Sequence, residues 1–218
     1  MKYYSLSYST DEKEVGKVWP QCKAIPEGYD HKWLDLPNSM TKLTNDAFPN
    51  ENPDLVFELD KKAKLTDIIS PSNIYAVGLL VNEKAKLILE GFNLITHNFF
   101  LATVKENQIE HKYYWLHLVK TDLLGVNFNK SKFEITNLVN KPLANIKINS
   151  WEHYIERDSE LVFKHIRAKH LVLEPEAYKD LIYFPYVYSF MFVSEDLAME
   201  LASQKITGLE ISEQHILT

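Results

Sequence analysis

Apolar positions from Tyr186 to Ile211 run first almost without a break and then at helical spacing. Val187 to Val193 is a run of aromatic and β-branched residues interrupted by Ser189, the composition of a central strand with little water on either face. Ser194 follows as an N-cap, and Glu195 and Asp196 put negative charge in the first turn, where free N–H groups and the helix dipole favour it. Leu197, Ala198, Leu201 and Ala202 then recur on one side of the predicted helix, with Glu200, Gln204 and Lys205 off it. Gly208 supplies permissive backbone just past the helix, and Leu209 to Ile211 is long enough for a returning strand.

Ala76 to Val104 repeats the plan. Val77 to Val81 predicts a strand, Asn82 a cap with Glu83 behind it, and Ala85, Ile88, Leu89 and Phe92 an inward helical stripe. Elsewhere Lys2 to Tyr8 alternates like an opening strand at a sheet edge, and Asp54 to Asp60 like a half-buried strand with Leu55, Phe57 and Leu59 inward. Leu65 to Ile69 suggests a helical turn. Asn98 to Val104 and Tyr113 to Val119 predict a hairpin joined by Lys105 to His111. Lys132 to Ile135 and Arg167 to Leu173 read as further strands, and Ser150 as the cap of a short helix carrying Trp151, Tyr154 and Ile155.

Strands outnumber helices and do not alternate with them one for one, which predicts an α+β fold: a mixed or antiparallel sheet, a few packed helices, and two strand–capped helix–strand units. No linker divides the 218 residues, so the expectation is a single domain, 1–218. Within it, residues 1–53 form an irregular N-terminal wrap rich in turn formers, and 54–213 the core. Trp19, Tyr29 and Trp33 argue that the wrap is ordered, because such rings favour burial.

Charge changes the picture little. The formal net charge is −6, with 12 acids and 9 bases in residues 1–70, 6 and 9 in 71–149, and 12 and 6 in 150–218. An acidic C-terminal third disfavours direct binding of nucleic acid and permits a basic protein partner. No apolar run suits a membrane span, and the N-terminus MKYYSLSYSTDEKE lacks the apolar core of a signal peptide, so the expected address is the cytoplasm. The single cysteine, Cys22, rules out an intrachain disulfide and reads as a small buried residue.

Candidate chemistry is sparse. Six isolated glycines build neither a phosphate loop nor a dinucleotide fingerprint, and G-x-S-x-G and H-E-x-x-H are absent. His111 with His117, and His165 with His170, are not at the spacing of a helical metal pair. His117, within LHLV, reads as a satisfied polar residue of a strand. The expectation is therefore no enzyme, no cofactor and no metal.

Tyr113 to Ile135 (YYWLHLVKTDLLGVNFNKSKFEI), Lys169 to Glu176 (KHLVLEPE) and Phe190 to Glu213 (FMFVSEDLAMELASQKITGLEISE) together resemble the bacterial immunity proteins of polymorphic toxin systems. The likeness is to the related groups immunity protein forty-three and immunity protein eleven. It rests on Tyr113, Tyr114 and Leu116; on Asn127 with Lys130, Ser131 and Phe133; on Leu171 to Leu173; and on Val193 to Glu195 with Thr207 to Leu209. Asn127 stands where the pattern favours aspartate, and Asn82 where serine is more usual. The resemblance spans roughly residues 54–213. It implies a cytoplasmic protein that binds a cognate toxin domain and blocks it sterically, with no catalytic residue. A nuclease toxin, presenting a basic cleft, would fit the acidic C-terminal third. Two alternatives stay open: a small cytoplasmic enzyme whose His117, Tyr114 and Asp122 meet in a pocket, and a non-catalytic adaptor.

For a toxin-binding surface the sequence offers the stretch between Leu173 and Tyr188. There Glu174, Glu176 and Asp180, suited to steering, are interleaved with Tyr183 and Tyr186, suited to anchoring. The alternative is that these rings fold back onto the core. Trp19 and Trp33 are the next candidates.

Overall fold

Local sequence and long-range pairing both shape the strands. The computed structural model describes residues 1–23, 38–72, 74–120, 123–184, 188, 190–214 and 216–218. The strands are β1 (Tyr3–Tyr8), β2 (Cys22–Lys23), β3 (Val56–Leu59), β4 (Ile68–Ile69), β5 (Pro71–Ser72), β6 (Gly78–Val81), β7 (His97–Glu106), β8 (Ile109–Leu118), β9 (Lys132–Asn137), β10 (Pro142–Ile146), β11 (Lys164–His170), β12 (Leu181–Tyr183), β13 (Met191–Ser194) and β14 (Leu209–Glu213). The helices are α1 (Glu12–Val15), α2 (Glu83–Glu90), α3 (Trp151–Ser159) and α4 (Glu195–Ser203). The class is α+β, with both mixed and antiparallel sheets.

By its contacts the chain divides into two compact units: Met1–Leu6 with Lys120–Ala198 and Ile211–Thr218, and Ser7–Val119 with Met199–Glu210. The second unit is built on a seven-stranded sheet, β4-β6-β8-β7-β3-β2-β5. Its centre is the β7–β8 hairpin, paired from His97↔Leu118 to Glu106↔Ile109, with Asn107 in the left-handed region at the turn. The predicted strands were therefore right in kind and too short. Trp115, Phe57, Leu80, Met40 and Val104 pack in one buried cluster, with Leu55, Leu59 and Cys22 among them as the pattern required. Asn82 caps α2 by accepting the N–H of Ala85 at 3.0 Å.

The first unit holds a three-stranded antiparallel sheet, β10-β9-β11. A second sheet runs β12-β13-β1-β14, and three of the four boundaries between the units fall inside β1, α4 and β14, the fourth between Val119 and Lys120. As predicted, β13 is central, although it spans Met191–Ser194 and Phe190 before it is a bend. The N-terminal strand is interior rather than at an edge, because β13 and β14 flank it. Ser194 caps α4, and Leu197, Ala198 and Leu201 are buried, whereas Ala202 faces water.

Further expectations are corrected. Ile68 and Ile69 form a strand against Val81 and Leu80 rather than a helical turn, because the edge beside β6 is open to them. The residue that ends α4 is Lys205, in the left-handed region, not Gly208. Lys205 and Ile206 donate their N–H groups back to Ala202 and Leu201, which closes the helix as a Schellman turn. Gly208 serves close approach instead: at φ +91° a Cβ there would collide with the carbonyl oxygen of Ile68. The strand expected at Arg167 to Leu173 begins at Lys164 and ends at His170, and β10 had no counterpart among the predictions. The N-terminal wrap contains α1 and β2, and Trp19 is exposed rather than buried. Tyr29 and Trp33 lie outside the described residues.

Candidate interaction surface

Register fixes which side chains share each face of the β10-β9-β11 sheet. Glu134 stands between Asn145 and Arg167, and Thr136 between Pro142 and His165, while Ile135 lies between Ala144 and Ile166 on the other face. Helix α3 covers that other face: the Tyr154 hydroxyl donates to the Ile166 carbonyl at 3.1 Å, and its ring lies 6.4 Å from that of Phe133. Ser150 caps α3 by accepting from His153 N–H.

The face of Glu134 floors an open groove of about 870 Å³, walled by Tyr188, Phe190 and Ile216. Arg167 donates from Nε and a terminal nitrogen to one oxygen of Glu134, at 3.2 and 2.6 Å. Lys169 Nζ lies 3.8 Å from the other oxygen and donates to Asn145 at 3.3 Å. Glu134 is almost fully buried beneath these two cations, which makes it a fixed acceptor that holds them in place. The Thr136 hydroxyl, also buried, has no hydrogen-bond partner among the described residues.

At one end of this sheet two ordered turns project apolar side chains. Between β9 and β10, the carboxamide oxygen of Asn137 accepts the N–H groups of Val139 and Lys141 at 3.1 and 2.9 Å, and Asn140 takes the left-handed conformation. Between α3 and β11, Phe163 is also left-handed, at φ 56°, which is rare for an aromatic residue. Because Lys164 pairs with Asn137, these turns lie at the same end of the sheet. Val139 is 79% and Phe163 75% exposed, and Leu138, Leu143 and Val162 are also largely in water. Short apolar runs such as Leu138-Val139 and Leu161–Phe163 do not by themselves distinguish an exposed turn from core, which is why this cluster was not legible in the sequence.

The sequence-predicted residues that the structure describes differ in setting. Glu174 and Glu176, around the 3-10 turn Pro175–Ala177, are exposed. Asp180 accepts from the Ser194 hydroxyl at 2.7 Å. Tyr183 is buried in β12 opposite Met191, and burial pushes its phenol pKa up, so it is a core ring rather than an exposed anchor. Trp19 is exposed but belongs to the other unit. Tyr186 and Trp33 lie outside the described residues.

Nor does the enzyme alternative gain a constellation. Three residues apart on β8, Tyr114 and His117 point to opposite faces. Tyr114 donates to Glu83 at 2.5 Å on the surface, whereas His117 is fully buried between the rings of Phe48 and Phe100. Burial lowers the His117 pKa and the nearby carbonyls of Ala47 and Thr44 pull the other way, while among the described residues neither ring nitrogen has a hydrogen-bond partner. This corrects the expectation of a satisfied histidine. Asp122 lies outside the described residues. Burial pushes the Cys22 thiol up to about 12, far from a reactive thiolate. No cluster of three metal-ligating side chains occurs among the described residues, and no helix there is long and apolar enough to cross a membrane.

The residues that carry the family resemblance have structural roles. Tyr113 donates to the Thr66 carbonyl at 2.7 Å, Ser131 bonds Asn127 and Val172, and Ser194 caps α4. Thr207 bonds Asp67 through both its N–H and its hydroxyl. No family model matches the chain, and no curated protein matches it by sequence.

Proposed function

We propose that the protein is a bacterial immunity protein that binds a cognate toxin domain in the cytoplasm and neutralises it by steric blocking. The observation that carries the reading is the apolar cluster at the end of the β10-β9-β11 sheet. Leu138, Val139, Val162 and Phe163 stand in water on turns held by their own hydrogen bonds and left-handed residues. Apolar groups grouped on rigid backbone suit a protein interface, because little ordering entropy is lost when a partner covers them. Blocking needs no chemistry from the binder: occlusion of a toxin's active face suffices. The resemblance supplies the class of partner, and the structural roles of its motif residues leave the exposed surface to carry recognition.

Co-expression tests this reading. The gene is expected directly downstream of one for a large secreted protein with a variable C-terminal domain. That domain, expressed alone, should arrest growth, and co-expression with this protein should restore it. Continued killing in the presence of soluble, folded protein would defeat the proposal. Restored growth without a stable complex would defeat steric blocking and leave another mode of protection.

A further inference from the structure

An overall charge of −6 conceals a basic sheet. Across residues 130–148 and 164–170, the three strands and their flanks carry seven Lys and Arg against one acid, Glu134; of the acids that lead into the α3–β11 turn, Asp158 accepts the Ile166 N–H and Glu160 is paired with Arg157. Glu134 is buried and already neutralised by Arg167 and Lys169. Lys130, Lys132, Lys141, Lys147 and Lys164 have no ion pair among the described residues. Two of these, Lys141 and Lys164, flank the apolar turns: Asn137 donates its N–H to the Lys141 carbonyl and has Lys164 as its register partner.

From this the geometry points to the partner's chemistry: the β9–β10 turn with the α3–β11 turn is the toxin-docking surface, and it takes a protein surface with an apolar centre ringed by carboxylates. The inference rests on the immunity reading and reverses the partner charge suggested by the acidic C-terminal third. Aliphatic Leu138, Val139 and Val162 form the centre, the part of an interface that becomes dry, and exposed Lys141 and Lys164 lie beside it, where charge governs association rate and excludes wrong partners. A polyanionic nucleic acid would satisfy the lysines but leave those aliphatic side chains without a counterpart, so an acidic protein fits better. Addition of a partner strand to β10 is disfavoured. The edge begins with Pro142, has a register shift between Pro142 and Ala144, and is flanked by Lys141 and Lys147, which together blunt edge pairing. The partner therefore engages side chains rather than a backbone ladder.

Two arms test this. In the first, Lys141→Glu/Lys164→Glu, Val139→Asp and, as control, Glu174→Lys/Glu176→Lys are compared with wild type for affinity to the upstream toxin domain. All these positions are exposed, so the fold should persist, and circular dichroism with thermal melting checks it. The first two variants should lose about tenfold or more in Kd. The double reversal should also slow association and flatten its salt dependence, with the control unchanged. Wild-type binding by both test variants would overturn the surface, while toxin protection by wild type would still uphold the immunity reading.

The second arm does not depend on a toxin. A random Glu–Leu copolymer is titrated into the isotopically labelled full chain at low salt. Saturable amide shifts clustered at residues 138–143 and 162–165, and weaker shifts with polyglutamate, are expected. Shifts confined to other regions, or tighter binding of a 20-base-pair DNA duplex at the same residues, would overturn the assignment of an acidic protein partner.

Discussion

The Ser194 hydroxyl donates to Asp180 at 2.7 Å while accepting the N–H of Leu197 at 3.2 Å. One buried side chain thus ties the segment before β12 to the first turn of α4. Ser194→Ala removes both bonds and should lower stability by about 1–2 kcal/mol, measured by urea denaturation. Asp180→Asn keeps an acceptor and should cost less. Because Ser194 is buried, affinity for the proposed toxin partner should be unchanged at temperatures where the variant is folded.

Arg167 and Glu134 are unequal partners. Glu134 is nearly enclosed, whereas Arg167 retains access to water. Arg167→Met leaves a buried carboxylate with Lys169 as its remaining cation among the described residues and should cost about 2 kcal/mol or more. Glu134→Gln leaves cations that can turn to solvent and should cost about 1 kcal/mol. Denaturation midpoints in the opposite order would mean that Glu134 is not held as a buried anion.

Asp67 receives the N–H and hydroxyl of Thr207 and the carboxamide of Asn82, at 2.8–2.9 Å. Burial raises its pKa, but these donors, with Lys84, outweigh burial and hold it below the ordinary 3.8. A depressed carboxylate stabilises the fold fully above its unfolded value and loses that contribution as pH falls through the folded one. Asp67→Asn should therefore cost about 1–2 kcal/mol at neutral pH, and the difference from wild type should shrink below pH 3.8. Denaturation of both proteins at neutral and acid pH is the check.

His117 gives a second pH window of different origin. Its folded pKa lies below 6.5 because burial disfavours the charged ring. As pH falls through 6.5, the unfolded chain takes up a proton before the folded one does, so stability declines. In His117→Met the slope between neutral pH and pH 5 should be flatter than in wild type, since Met does not titrate and is flexible enough to fill the space beside Phe48 and Phe100. Equal slopes would show that His117 does not contribute.

Elements with a local cause were legible in the sequence. Alternation at Leu55, Phe57 and Leu59, the cap at Asn82 and the cap at Ser194 each depend on residues a few positions apart. Features set by distant partners were not. Ile68–Ile69 is too short for any period and is a strand because Leu80 and Val81 offer an edge. Gly208 looked like a helix terminator, but its role depends on Ile68, far away in sequence. The proposed docking surface was least legible. Counting charge by thirds placed Lys164, Arg167 and Lys169 in the acidic C-terminal third and hid their pairing with the lysine-rich β9 segment. Lysines spaced along residues 130–147 with Glu134 as their only acid were the available signal.

The β9–β10 turn owes its shape to Asn137 and Asn140, not to the side chains it displays. Residues 138 and 139 therefore carry almost no structural obligation, and their identities can drift without cost to the core. On the immunity function proposed above, a lineage whose toxin changes can follow it by exchanging a few tip residues, in the way an antibody loop is respecified on a constant framework. Diversification should accordingly be fastest at the tip and slowest at its two asparagines.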